Sequence, residues 1–444
     1  MKYIIMQGTE ELNSNGGIAL VGGLLDRLVS LRAIDGQSMG SVKKGWTSHS
    51  GILRSAIGLL SMGRSDFADI ELFRNDRLFR NGLGMSSVPS EETLRQRLDA
   101  IASTVDADLM TDDAVVELLL QAGEFGRETA GHGSYIPLDI DVSILDNSGS
   151  RKEEVGVTYK NIVGYAPIFA HLGTDGYMLA NELRPGTQHS AKGAVEFAEK
   201  CLTMTARLGI APDELLVRAD AGHDDAAFIG VLSDAGVRFL VKRNLRRECP
   251  EQYLAMARRM GEKIAAREGK NVYRCILSHK QPAGLEGKPI FMVLEAVERL
   301  ADPDGQPLLI PQLEVSTWWT NLTEYEAACI QLYRNHATSE QYHSELKSDM
   351  GIERLPSGKF ATNALFLGLA TIAFNCLRLI GQQTLRMTEL LPRTYTVARR
   401  RLRSVMQDLI HVACKVVNHA NRVFLKFGRN CPWYRAFFEM YARC

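Results

Sequence analysis

The chain has 444 residues, too many for one ordinary domain. Its 45% hydrophobic and 23% charged residues exclude a disordered chain and suffice to bury a core. Lys+Arg and Asp+Glu both number 52, which argues against a uniformly basic nucleic-acid binder, yet residues 393–444 hold eleven basic and two acidic residues, a net +9 against −9 for the rest. The eight cysteines never fall within four residues of each other, so the close pairs of common zinc sites are absent and a buried, reduced state is expected. The N-terminus does not read as a signal peptide. The most apolar stretch, 364–374, is about half of what a membrane span needs. A cytoplasmic location follows as the simplest expectation.

In chain order, residues 1–130 read as a helical N-terminal domain. Leu94, Leu98 and Ile101 keep helical spacing behind a candidate N-cap at Ser90. A helix-turn-helix here would expose Arg95 and Arg97 to DNA; a solvated helix face is the plainer reading. At Tyr135 the pattern changes to strands, in YIPLDIDVSIL, GYAPIFAHL and YMLANEL. Then come a helix (AKGAVEFAEKCLTMTARL), a strand (ELLVRAD), a helix (DDAAFIGVLSDAG) and a strand (VRFLVKRN), the signature of a mixed α/β sheet with helices packed on it. Residues 245–315 read as a β-rich insertion opened by a basic helical piece, MARRMGEKIAAREGK, followed by strands in VYRCILSH, IFMVLEAV and LEVSTWWTNL. From Thr323 the chain reads as helical to its end, with residues 316–385 rejoining the α/β core and 386–444 forming a basic helical segment.

Three acidic positions stand where the local pattern calls for apolar or turn residues. Asp139 and Asp141 in IPLDIDVS project to one face of a strand, where a carboxylate is costly unless paired or metal-bound. Asp220 ends the apolar run LLVRAD, where open α/β sheets place their ligands. Glu340 lies in YRNHATSEQYHSELK, where Tyr333, His336, Glu340, His343 and Lys347 share one helical face beside an apolar stripe. A capping box at Thr323 and Glu326 would start that helix, with Asn335 a point of interruption. Two strand carboxylates and one helix carboxylate suit a pair of Mg²⁺ or Mn²⁺ ions about 4 Å apart, the arrangement that cleaves phosphodiesters; a solvated polar face is the competing reading for the helix. Asp146 and the pair Asp224 and Asp225 read as turn or cap chemistry, and His189 and His223 as outer groups. Walker A, GxGxxG, HExxH and GxSxG motifs are absent.

Taken together and in order, NSNGGIALVGGLLDRL, VPSEETLRQRL, LDIDVS, GYAPIF, LRPGTQH, RADAGH, WWTNLTEYEAACIQLYRNH and EQYHSELKSD, with the basic tail after Arg399, resemble the bacterial DDE-type insertion-sequence transposases. The resemblance is most marked to the insertion-sequence thirteen-eighty group and covers nearly the whole chain. It implies a ribonuclease-H-like catalytic core, residues 131–244 and 316–385, interrupted by the β-rich insertion. It implies Asp141 as the first catalytic Asp, from the pattern Asp-x-Thr/Ser, with Asp139 the alternative, then Asp220 and Glu340. The family's helical signature, Tyr-x2-Arg-x3-Glu-x6-Lys, is met by Tyr333, Glu340 and Lys347, while His336 stands in the Arg position and Arg334 lies on another helical face. An imidazole lacks the bidentate guanidinium fork, so the grip on the end phosphate is the feature this departure weakens.

The implied function is binding of terminal inverted repeats, Mg²⁺-dependent cleavage at the element's ends and joining of the 3′-OH to target DNA. The implied partners are double-stranded DNA and a second copy or larger assembly on it, with no membrane or small-molecule substrate. Tyr333, Arg334, His336, Lys347, Arg95, Arg97, Arg399, Arg400 and Arg401 are then candidate DNA contacts. Trp318 and Trp319 are candidates to stack on a flipped base, burial in a strand core being the alternative. Competing functions are an inactive, transposase-derived DNA-binding protein and a ribonuclease-H-like nuclease without strand transfer.

Overall fold

Apolar residues at helical spacing build the first part of the chain. The computed structural model describes residues 3–38, 47–246, 248–420 and 422–443. Helices α1 (Ile18–Leu25), α2 (His49–Ser61), α3 (Glu91–Thr104) and α4 (Ala107–Leu119) bury Leu20, Leu53, Leu98 and Leu118. The Ser90 cap is in place, its Oγ accepting from the Thr93 N–H at 3.2 Å. Arg97 is not on the outer face. It is buried, with Nη2 2.9 Å from His49 Nδ1. Three residues after Leu94 and four before Ile101, it shares their stripe, which the charge pattern concealed.

The sheet begins at Gly133. Strands β1 (Gly133–Val142), β2 (Ile168–Leu172) and β3 (Tyr177–Glu182) form an antiparallel meander. After α5 (Ala194–Arg207), β4 (Leu215–Ala219) pairs parallel with β1. After α6 (Ala226–Asp234), β5 (Arg238–Lys242) pairs parallel with β4, giving the order β3-β2-β1-β4-β5. The apolar run Leu215–Ala219 is buried throughout, as a strand covered on both faces must be.

The region read as an insertion holds α7 (Pro250–Met260), β6 (Glu262–Arg267), β7 (Lys270–Leu277), β8 (Phe291–Ala301) and β9 (Pro307–Thr320). The basic helical piece is therefore half helix and half strand. It breaks at Gly261, where a Cβ would lie 2.5 Å from the Arg274 carbonyl and 2.6 Å from that of Ala257. Nor is the region a separate sheet. β9 pairs antiparallel with β5, so nine strands run β6-β7-β8-β9-β5-β4-β1-β2-β3, and residues 128–130 add to β1. Trp318 and Trp319 are register partners of Lys242 and Val241 within this sheet.

The long predicted helix after Thr323 is segmented. It runs as α8 (Glu326–Arg334), a 3-10 turn (Asn335–Thr338), α9 (Ser339–Ser344) and a π turn (Glu345–Asp349). Tyr325, not Thr323, occupies its N-cap position. Helix α10 (Phe360–Leu385) is longer than its apolar stretch suggests, and long and apolar enough to cross a membrane. It is instead packed against α2, α3, α4 and β3, with 94% of its apolar window buried, as befits a helix apolar on every side.

The C-terminal segment is not wholly helical. It contains a hairpin, β10 (Cys414–His419) and β11 (Arg422–Phe427), before the last helix, α11 (Tyr434–Arg443). Val416, Val417, Val423 and Phe424 favour strands, a signal that counting charges hides. The outer edge of β10 pairs with Leu12–Asn13. The Gly16 and Gly17 N–H groups donate to the Val412 and Ile410 carbonyls at 2.8 and 3.1 Å. A Cβ on Gly17 would meet the Leu409 carbonyl at 1.8 Å.

One cross-strand pair ties sheet to helix. Asp139 on β1 faces Arg218 on β4 in register. Arg218 Nε and Nη2 donate to Asp139 Oδ1 and Oδ2 at 2.6 and 2.8 Å, while its Nη1 reaches Glu128 at 3.0 Å and the Leu332 carbonyl at 2.6 Å. Asn335 Nδ2 donates to Glu128 Oε2 at 2.9 Å, and His336 Nδ1 lies 2.7 Å from Asp139 Oδ1. Below the same helical segment, Arg378 of α10 donates to Glu345 at 2.9 Å.

Removing one partner of a buried ion pair leaves an uncompensated charge. Arg218→Met is expected to cost about 3–5 kcal/mol in urea unfolding. Asp139→Leu combined with Arg218→Met recovers most of that loss; a double variant no more stable than the single one contradicts the account. Arg378→Met is expected to fall in the same range of about 3–5 kcal/mol.

Candidate active site

Side chains alternate along a strand, so Asp139 and Asp141 share a face of β1, and Arg218 and Asp220 share one at the end of β4. The Asp139–Arg218 pair is buried, and the next layer toward the strand ends is Asp141 and Asp220. This second layer opens into a cleft of about 1050 Å³. The segment from α8 to the π turn supplies the facing wall, with Tyr333, Arg334, His336, Glu340 and Lys347. All three carboxylates singled out by the sequence therefore line one cavity, although about 80 and 120 residues of chain separate them.

The two floor carboxylates differ in electrostatics. Burial pushes Asp141 up to about 6, and the Asp220 charge adds to the shift against the opposing charges of His336 and His223. Asp141 Oδ1 accepts from the Val142 N–H at 2.8 Å. His343 Nδ1 is 3.7 Å from its Oδ2, but burial, with the charges of Lys347 and His336, depresses His343 to about 3, so it brings no charge at neutral pH. Burial also acts upward on Asp220, yet His223 Nδ1 at 2.9 Å and the Gly222 N–H at 3.0 Å outweigh it and hold the carboxyl below its usual range. Both bonds fall on Oδ1, and among the described residues nothing hydrogen-bonds Oδ2.

The floor thus has hard oxygen donors and no Lys or Arg bonded to them, a donor set suited to Mg²⁺ or Mn²⁺. As the side chains stand, no three His, Cys, Asp or Glu among the described residues converge closely enough to hold one ion. Asp139 offers no such site. It is 2% exposed with both oxygens bonded, and Arg218 and His336 overcome its burial to hold it well below the usual carboxylate range.

His336 lines the cleft with Nδ1 committed to Asp139; burial lowers its pKa, but Asp139 more than offsets this and the pKa is raised. Burial raises the Tyr333 phenol, reinforced by Asp220 and Asp141, and its ring lies 5.5 Å from Trp318 and 5.6 Å from His336. Burial lowers the Lys347 ammonium. Arg334 does reach the cleft, where it donates to Glu295 at 2.6 Å.

The tryptophans are walls and not free platforms, at 4% and 5% exposed. Trp318 borders the cleft, whereas Trp319 lies outside it with Nε1 on Asp224 at 3.0 Å and Arg243 4.7 Å over its ring. Asp225 caps α6 and Asp146 accepts from the Ser148 N–H, as turn chemistry predicts. His223 is buried against Asp220, and His189 lines an adjoining cavity.

The DNA-contact candidates of the tail are largely engaged within the protein. Arg400 is buried, bonded to Asp408 and flanked by Tyr395 and Trp433, each 4.8 Å away. Arg399 covers Tyr342 at 4.3 Å and lies 3.4 Å from Glu345; Arg401 grips Asp349 at 2.8 Å from an exposed position. Arg95 is exposed and pairs with Glu92. Sequence reasoning missed Arg218, although a charge two residues before Asp220 on an apolar strand was a signal. It also missed Tyr159 and Lys160, which reach the cleft from the turn of a small hairpin, Gly156–Val157 and Val163–Tyr165, and look like ordinary turn residues in sequence.

No curated protein matches the chain. Among solved structures it is similar to a piggyBac transposase, seen by cryo-EM in a synaptic complex with hairpin DNA, at 10% identity and a TM-score of 0.44 over 91% of this chain and 82% of that one. The family model described as transposase DDE domain group 1 matches residues 5–281 and 303–444. The chain belongs to the DDE transposase family described by that model.

Proposed function

We propose that this chain is the transposase of a bacterial insertion sequence of the thirteen-eighty group, with a ribonuclease-H-like core. It binds the terminal inverted repeats of its element, cleaves DNA at their ends and joins the free 3′-OH to target DNA, acting as a dimer or larger assembly. The observation that carries this reading is the meeting of Asp141, Asp220 and Glu340 in one cleft beside Tyr333, His336 and Lys347. The strand order β3-β2-β1-β4-β5, three antiparallel strands followed by two parallel ones, supports the ribonuclease-H-like assignment.

Asp141 and Asp220 would hold the metal ions from the floor and Glu340 from the facing wall. Two Mg²⁺ ions, when bound, supply charge neutralisation and activation of the attacking oxygen for in-line displacement at phosphorus. His223 fixes one oxygen of Asp220, and the other would be available to a metal ion. His336, anchored by Asp139, has only Nε2 left to donate to a phosphate. Its raised pKa favours the positive charge that an Arg in that position carries permanently. Lys347 and Lys160 add cations along the same cavity, and such contacts fix register without reading sequence.

The test is incubation of the full chain with a duplex carrying the inverted repeats that flank its reading frame. Cleaved ends and joined products are expected with Mg²⁺, and neither with EDTA. Glu340→Gln, Asp141→Asn and Asp220→Asn are each expected to slow cleavage about a hundredfold to a thousandfold, the range for losing one preorganised charge-stabilising group, while end binding and thermal unfolding stay close to wild type. A wild-type chain that binds these ends and does not cut them is an inactive DNA-binding protein. Cutting without joined products makes it a nuclease.

A further inference from the structure

The 30 residues between Asp408 and Glu439 contain no acid and five bases, Lys415, Arg422, Lys426, Arg429 and Arg435. They form the hairpin β10–β11 and the start of α11, and none of the five lines the cleft. Antiparallel register sets Lys415 opposite Lys426, Val417 opposite Phe424 and His419 opposite Arg422. Alternation puts these six side chains on one face of the ribbon, with Phe424 41% exposed between the cations. Like charges directly opposite destabilise a strand pair. Glu10 relieves only one of them, at 2.6 Å from Lys415. Among the described residues Arg422, Lys426, Arg429 and Arg435 have no ion-pair partner, whereas Arg399, Arg400, Arg401 and Arg403 all bind Glu345, Asp408 or Asp349.

The ribbon is held firmly at its base. β10 pairs with Leu12–Asn13, and Phe427 packs 4.6 Å from Phe437 of α11. Its far end, His419 to Phe424, is exposed wherever described. Arg422 and Lys426 are about 13 Å apart along the strand, close to the major-groove width of about 12 Å. A two-stranded ribbon is also one of the shapes that the groove admits.

We propose that this face of the β10–β11 ribbon, with Lys415, Arg422, Phe424 and Lys426, docks on duplex DNA and sets its cations against phosphates on either side of the major groove. The assignment rests on the reading of the chain as a DNA transposase and gives it a second contact surface outside the cleft. The spacing favours DNA over an acidic protein, which would not demand two cations one groove-width apart.

The experiment measures the salt dependence of binding to a fluorescein-labelled DNA duplex of random sequence. It compares the full wild-type chain with Arg422→Gln/Lys426→Gln and with Arg422→Glu/Lys426→Glu. The neutral pair is expected to make the slope of log K against log [salt] shallower by roughly two and to weaken low-salt binding about tenfold. The reversed pair weakens it further. Thermal unfolding of the neutral pair matches wild type, and its end cleavage returns to the wild-type rate at saturating DNA. If the wild type cuts its ends and both variants keep its slope and affinity, the ribbon assignment fails and the surface is left for an acidic protein. If the wild type neither binds nor cuts DNA, the transposase reading itself fails.

Discussion

The guanidinium of Arg218 joins, at one point, the elements that carry Asp141 and Asp220 and the segment that leads to Glu340. It bonds Asp139 two residues before Asp141, lies two residues before Asp220 in its own strand, and holds the Leu332 carbonyl at the end of the helix that leads to Glu340. Stripping a guanidinium and a carboxylate of water costs several kcal/mol per ion, so a pair like this is weak evidence for net stability. What it fixes is geometry. A strand edge can slide and a helix can roll, but a fork bonded on three sides permits neither. The break of the helix at Asn335 follows from the same contacts, since Asn335 and His336 both turn back to the acids that Arg218 binds.

On this foundation the cleft separates two carboxylates that are chemically alike. Asp220 is stabilised in its charged form by His223 and a backbone N–H, while at half-buried Asp141 desolvation and the Asp220 charge outweigh His336, His223 and the Val142 N–H, and its pKa is raised. A site built for rigidity alone would have satisfied both. The energetic cost left at Asp141 is what a divalent cation would relieve, so binding and activation would share a single free-energy source.

Much of this was legible in the sequence, for definable reasons. Asp141 and Asp220 broke an apolar strand pattern, and Glu340 stood out on a polar stripe with Tyr333, His336 and Lys347. Strands β1 to β5 followed from alternation and apolar runs. Arg97 and Arg400 were less readable because residue type suggested exposure, whereas position decided burial; for Trp318 burial in a strand was already one of two readings. Arg97 sits in an apolar stripe, Trp318 lies opposite β5, and Arg400 meets Asp408 only after the chain folds back. The β10–β11 hairpin escaped because its β-branched residues are interleaved with cations, so charge was read where shape should have been. Which acid would neutralise which base is a property of tertiary structure. That is why, among the described residues, a tail of +9 proved to be largely paired near residue 400, while Arg422, Lys426, Arg429 and Arg435 have no ion-pair partner.

The short pairing of Leu12–Asn13 with β10, reinforced at Gly16 and Gly17, has a consequence for the order of folding. It closes a loop of some 400 residues, a contact that cannot form during synthesis until the chain beyond residue 414 has left the ribosome. The elements bearing Asp141 and Asp220 emerge long before, but the fork of Arg218 stays incomplete until Leu332 arrives. A nascent or truncated chain therefore carries the acids without the framework that aligns them. On the proposed reading, in which this cleft cuts DNA, late closure would delay competence until both ends of that loop have met.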